Sequence, residues 1–337
     1  MAPARVSRLE LGALLFPGAR TVGEAEDAAR EGSSPTARNL WACLTRLMDR
    51  TGTPDDALGL YRRPERVIAW LEGSEAPPAA ASKLSFYSAL ATLSNPDKAP
   101  SVARHVPGRA RRRFAAQAAV HGREVRAQQA SNRLDARERA VIMRWPDIVA
   151  CYRKRRHLLN DSQAVIAALY LAGGDNPAGA PRRLDYNAVR VFHGKAPPVA
   201  PPDLNYITVR SPTNVDLVLQ EFKTRRYYGP YNVTLPAAVS RVIHASLARS
   251  PREWLVHDAQ GRPLTPSSFG KRVAATMRRL TGRAIGASNL RKSFITWLYS
   301  RDDIPRHRMD QYAKAMNHSP AEQKLYCRKN IRPVYPD

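Results

Sequence analysis

"LNYITVRSPTNVDLVLQEFKTRRYYGPYNVTLP", residues 204–236, decides the fold class. "LNYITVR" (Leu204–Arg210) and "VDLVLQEF" (Val215–Phe222) are rich in β-branched and aromatic residues and are separated by the turn "SPTN", which predicts a hairpin. "YNVTLP" (Tyr231–Pro236) supplies a third strand, joined to the second by "KTRRYYGP". Short strands in direct succession predict an antiparallel meander. Downstream the apolar period becomes helical, over Ala237–Leu247, Ser267–Thr281, Asn289–Tyr299 and Met309–Met316. Upstream, "DSQAVIAALYLAGG" (Asp161–Gly174) puts Val165, Ile166, Leu169 and Tyr170 on one helical face, with Asp161 or Ser162 as cap and the glycines as stop. A small sheet among many helices is an α+β, mostly helical arrangement.

The first hundred residues carry no strand signal. Leu40, Cys43, Leu44, Leu47 and Met48 fall at helical spacing behind the cap "SSPT", with Pro35 expected just outside the helix. "RPERVIAWLEG" (Arg63–Gly73) offers Val67, Ile68 and Leu71, "SEAPPAAAS" reads as a linker, and Phe86, Leu90 and Leu93 resume the period. Residues 100–145 are rich in arginine and poor in large apolar side chains, which suits a solvated charged helix, a flexible linker or direct contact with phosphates, and marks a domain boundary. The expected organisation is an N-terminal extension (1–33), a helical domain (34–105), a basic linker or helix (106–144) and a second domain (145–337).

With 337 residues the chain is long enough for more than one domain. Its 54 Lys+Arg stand against 29 Asp+Glu, a formal charge of +25. Such an excess repels itself in a compact chain and points to a polyanionic partner, DNA or RNA, with a merely solvated basic surface as the alternative. Cys43, Cys151 and Cys327 lack metal-ligand or disulfide spacing, so neither a metal, a cofactor nor a disulfide framework is expected, and the compartment is read as reducing and intracellular. No apolar run is long enough to span a membrane. The basic, partly apolar start resembles a transit peptide only weakly, because Glu10, Glu24, Glu26 and Asp27 follow.

Four segments of the second half carry groups suited to phosphoryl transfer, which needs a nucleophile, cations on the non-bridging oxygens and a proton donor for the leaving oxygen. "GAPRRLDY" (Gly179–Tyr186) offers Arg182 and Arg183, "EFKTRRYYG" (Glu221–Gly229) offers Lys223, "SNLRKSFITWL" (Ser288–Leu298) offers Arg291, and "AMNHSPAEQKLYCRKN" (Ala315–Asn330) offers His318 and Tyr326. Singly each has an ordinary reading: a solvated or DNA-backbone arginine, a hairpin lysine, a histidine at a helix end. Together they surround a phenol with the cations it needs to act as a nucleophile.

In the order Arg, Lys, Arg, His and Tyr, this half resembles the catalytic domain of tyrosine recombinases (the phage-integrase type), in particular the divergent branch of large DNA viruses and crypton-like mobile elements. The segments that carry the resemblance are "APRRLDY", "FKTRRYYGPYNVTLP", "LRKSFIT" and "MNHS", and "TARNLWACLTRLMDR", "RPERVIAWL" and "SKLSFYSALATL" are similar to the helical, SAM-like core-binding domain of that family. The resemblance implies a DNA recombinase or integrase that needs no metal and works as a tetramer on double-stranded DNA in the nucleus or cytoplasm of a host. It implies that Tyr326 attacks a phosphodiester to give a 3′-phosphotyrosyl bond and a free 5′-hydroxyl. Arg182 and Arg291 would hold the non-bridging oxygens, Lys223 would protonate the leaving oxygen, His318 would support the transition state, and Asp185 would orient the arginine. Spacing to Asp185 favours Arg182 over Arg183. Ser288 stands where the family carries histidine or lysine, with Lys292 as a candidate substitute. A type IB topoisomerase shares the same residue set, and a DNA-binding relative without catalysis would retain the fold.

Overall fold

The computed structural model describes residues 5–30, 34–73, 80–195, 203–328 and 331. The chain divides into two compact units, 1–130 and 131–337.

The first unit is all helical: α1 (Arg8–Leu15), α2 (Val22–Arg30), α3 (Pro35–Thr51), α4 (Gly59–Arg62), α5 (Pro64–Gly73), α6 (Ala80–Leu93), α7 (Pro100–Ala103) and α8 (Gly108–Ala130). Ser7 and Glu10 form a reciprocal capping box on α1. Ser34 caps α3, so Pro35 sits inside the first turn rather than outside it, where its missing N–H costs nothing. Cys43, Leu44, Leu47 and Met48 of α3 are buried, as the helical period predicts, beside Val67, Leu71, Phe86, Leu90 and Leu93. "SEAPPA", residues 74–79 of the expected linker, lies outside the described residues, and the remainder of that stretch opens α6.

Two further segments pack into this core. Leu11, Phe16 and Ala25, from the stretch expected as an N-terminal extension, enter it, Phe16 edge-on to Trp41 at 5.9 Å. The arginine-rich stretch takes the helical one of its expected forms, as α8. Ala110 and Phe114 form a narrow apolar seam on α8, and Phe114 sits edge-on to Tyr61 at 5.6 Å within the core.

The second unit comprises α9 (Ala136–Val141), α10 (Trp145–Arg155), α11 (Asp161–Leu171), β1 (Val189–His193), β2 (Asn205–Ser211), β3 (Asn214–Leu219), α12 (Arg225–Tyr228), β4 (Tyr231–Thr234), α13 (Ala237–Arg249), α14 (Pro266–Thr281), α15 (Ala287–Tyr299), α16 (Arg306–Ala315) and α17 (Pro320–Lys324). The sheet is four-stranded and mixed, in the order β1-β2-β3-β4. β2, β3 and β4 form the expected antiparallel meander, but β1 adds to it in parallel, Val189 opposite Asn205. The purely antiparallel sheet is therefore corrected. The outer edge of β1 is covered by residues 253–255, through Val191 N–H to Glu253 O and Leu255 N–H to Val189 O.

α11 lies at the centre of this core. Every residue from Val165 to Leu171 is buried, so the one-sided face expected from its sequence is absent, and its cap is Asn160 in a box with Gln163 rather than Asp161 or Ser162. After it the chain folds tightly back. A Cβ on Gly173 would lie 2.4 Å from Cα of Gly179, so only glycine permits this approach, and it delivers 180–185 to the edge of the core.

Candidate active site

The end of α16 organises the site. Asn317 adopts φ 53°, its N–H donates to Lys314 O at 3.0 Å, and the His318 N–H donates to Ala313 O at 2.9 Å. This is a Schellman ending with asparagine in the left-handed position that glycine usually takes. It leaves the carbonyls of Ala315 and Met316 to be satisfied by other groups. Arg182 donates from Nη1 to Ala315 O, and Arg291 from Nη2 to Met316 O at 3.3 Å. Two arginines from distant segments are thus seated on one helix terminus, whose dipole favours cations.

Arg182 is 2% exposed. Its Nε donates to Asp185 at 3.2 Å, and its guanidinium lies over the Tyr231 ring at 4.1 Å and the Phe222 ring at 5.5 Å. Phe222 and Tyr231 bracket the turn that carries α12, so the base of this hairpin is anchored on Arg182. Lys223, one residue beyond Phe222, is exposed and makes no hydrogen bond or ion pair among the described residues.

Arg291 is 1% exposed, and its Nε is buried without a hydrogen-bond partner. It also donates from Nη2 to His318 Nε2. Burial, then the neighbouring charge of Arg183, pushes the Arg291 pKa down to about 10. Burial, then the charges of Arg291, Arg183 and Arg182, pushes His318 down to about 3. His318 is therefore a neutral imidazole at physiological pH, accepting at one nitrogen.

Ser319 caps α17, and this short helix returns the chain so that the Tyr326 ring stacks on His318 at 4.7 Å and 28°. The Arg291 guanidinium lies 5.2 Å from the centre of the Tyr326 ring. The Tyr326 hydroxyl accepts a hydrogen bond from Arg183 Nη2 at 2.7 Å. Arg183, the arginine that spacing disfavoured, thus reaches the phenol, while Arg182 is committed to Asp185 and to α16. Tyr170 holds this segment, donating to Arg183 O at 2.6 Å.

Of the residues singled out from sequence, Arg182, Arg183, Asp185, Arg291, His318 and Tyr326 come together. Lys223 and Ser288 do not join them through any described contact. Ser288 is exposed in the first turn of α15, one turn before Arg291. Lys292, the candidate substitute, is bound to Glu138. That contact is the one the sequence left unread: Glu138 also accepts from Arg328 Nε at 3.2 Å, and Arg328 N–H donates to Thr296 Oγ1 at 2.8 Å, tying the segment after Tyr326 to α15. A lone glutamate opening a short basic helix gives no such signal.

Among the described residues the cluster holds three guanidiniums and one carboxylate, a net positive site around a phenol, chemically suited to a phosphate. Among the described residues no group of His, Cys, Asp and Glu is placed to hold a metal ion, and no helix is long and apolar enough to cross a membrane.

No protein-family model and no curated protein matches the chain. Among solved structures it is similar to the crystal structure of XerA recombinase, at 12% identity over 95% of this chain and 94% of that one, with a TM-score of 0.32.

Proposed function

We propose that the chain is a tyrosine recombinase of the integrase type, of the branch found in large DNA viruses and crypton-like elements, that cuts and rejoins double-stranded DNA through a 3′-phosphotyrosyl intermediate. One observation carries this reading: Tyr326 presents its hydroxyl to a guanidinium beside two further buried arginines whose charge a single carboxylate does not balance. A phosphodiester supplies the missing anion. Arg182 and Arg291 hold its non-bridging oxygens, where negative charge builds in the transition state. His318, neutral, steadies Arg291 and the phenol ring. Lys223 rides on the hairpin anchored under Arg182 and protonates the 5′-oxygen as the P–O5′ bond breaks. Assembly as a tetramer on DNA brings the partner strand for religation.

The test is a nicked duplex on which the cleaved 5′ fragment diffuses away. The chain is expected to form a denaturant-stable DNA adduct, also in EDTA, and Tyr326→Phe is expected to bind the same DNA without forming it. If neither such duplexes nor four-way junctions yield an adduct, the chain is a DNA-binding relative without catalysis. Relaxation of supercoiled plasmid by monomers, without exchange between duplexes, would mark it instead as a type IB topoisomerase.

A further inference from the structure

The arrangement around the phenol contains a group that none of the roles above uses. Arg182 and Arg291 are buried with N–H groups on the carbonyls of Ala315 and Met316, whereas Arg183 is half-buried and places Nη2 2.7 Å from the Tyr326 oxygen. His318 cannot serve that oxygen from its observed pose. It meets Tyr326 face to face, and its Nε2 is taken by Arg291. Ser288, where a second basic side chain is otherwise expected, is exposed and makes no described hydrogen bond.

We infer that Arg183 is a catalytic residue acting on the nucleophile rather than on the phosphate: it holds the Tyr326 oxygen and stabilises the charge on it while the phosphotyrosyl bond forms and again while it breaks. The inference rests on the phosphotyrosyl reading and deepens it. In cleavage the Oη–P bond forms and the P–O5′ bond breaks. The phenolic proton passes to water, because a guanidinium has no lone pair to accept it. The 5′-oxygen takes its proton from Lys223. In religation the 5′-hydroxyl gives its proton back to Lys223 as its oxygen attacks phosphorus, the P–Oη bond breaks, and the departing phenolate is held by Arg183 until water reprotonates it. A fork of fixed N–H donors suits this task, since it follows the oxygen from phenol to ester to phenolate without exchanging a proton. Charge stabilisation on the oxygen replaces a general base, which makes the serine at 288 tolerable.

Three DNA substrates separate this role from the alternatives: the natural diester, a methylphosphonate that removes the non-bridging charge, and a 5′-bridging phosphorothiolate whose leaving thiolate needs no proton. Single-turnover cleavage by Arg183→Gln is expected to fall about 10²-fold on all three, with Arg183→Lys partly restoring it. Methylphosphonate is expected to rescue Arg182→Ala and Arg291→Ala, and phosphorothiolate to rescue Lys223→Ala. Rescue of Arg183→Gln by methylphosphonate would make Arg183 a phosphate clamp, rescue by phosphorothiolate would place it on the leaving-group side, and an unchanged rate would give it no role. Each overturns the inference while leaving the Tyr326 adduct of the unaltered chain intact. Absence of that adduct overturns the underlying reading and the inference with it. Urea midpoints of Arg183→Gln and Arg183→Lys within error of the parent exclude a folding defect as the cause of lost rate, and a common shift in both would overturn the assignment in favour of a structural role.

Discussion

Each unit of the molecule buries a histidine against a tyrosine ring, and the two pairs are surrounded by opposite charge. In the first unit His121, 5% exposed, stacks on Tyr87 at 5.5 Å and 5°, with Nδ1 2.7 Å from Glu124 and Nε2 2.9 Å from Glu72. Tyr87 donates to the same Glu72 at 3.0 Å, and Lys83 closes the group. In the second unit His318, 3% exposed, stacks on Tyr326 amid arginines. The first cluster has donors and acceptors matched among its own side chains and is complete. The second has cations in excess and a buried guanidinium nitrogen without a partner, which is a cost in an empty site and an asset around an anion. The same ring-on-ring geometry therefore marks a staple in one place and a candidate reaction centre in the other.

Exchanging the two histidines gives the largest expected effects. His318→Gln should lower single-turnover cleavage about 10²–10³-fold with little change in the unfolding midpoint, whereas His121→Gln should leave the cleavage chemistry near normal and lower stability by about 1–2 kcal/mol, read by urea denaturation. Equal behaviour of the two variants in both assays would break the contrast.

A smaller effect is expected from Glu138→Gln, which strips the carboxylate from Lys292 and Arg328. Burial works to raise the pKa of Glu138, but the bonds from these two cations together hold it below the usual carboxylate range. Removing the charge should cost on the order of 2–3 kcal/mol in the second unit and loosen the segment that carries Tyr326, seen as faster hydrogen exchange there. That result would show that the second unit too has a matched ionic staple, so that the contrast lies between clusters rather than between units.

The smallest effect concerns pH. With its pKa lowered from 6.5 to about 3, His318 binds a proton more readily unfolded than folded. Its contribution to stability is full above about 6.5 and declines as pH falls through that window towards 3. Glu72, whose pKa burial raises but bonds from Lys83, His121 and Tyr87 lower overall, loses its contribution only as pH falls below the ordinary carboxylate value. Urea midpoints of the second unit should therefore decline between pH 7.5 and 5, and His318→Gln should flatten that slope.

The sequence revealed most where the physics is local. Apolar period placed α3, α5, α6 and the helices after the sheet, and Arg182 and Asp185, three positions apart, form an ion pair. β1 was missed because five residues of mixed polarity give little alternation, and its parallel partner is reached only through a non-local pairing. α8 was left open between helix and linker because its arginines outnumber the few residues of its seam. The bond from Arg183 to Tyr326 joins residues 143 positions apart, and no spacing rule reaches across that distance.

The ending of α16 has a consequence for which insertions the chain can bear. Successive helical residues are rotated by about 100°, so one residue added within the last turn of α16 would swing its terminal carbonyls away from Arg182 and Arg291. The same residue added at the exposed Tyr227–Tyr228 end of the hairpin turn would lengthen a surface segment without moving those carbonyls. The last turn of α16 thus works as a screw gauge that sets the separation of the two arginines, and lineages of this chain should vary in length at the hairpin while keeping Ala313 to His318 at a constant count.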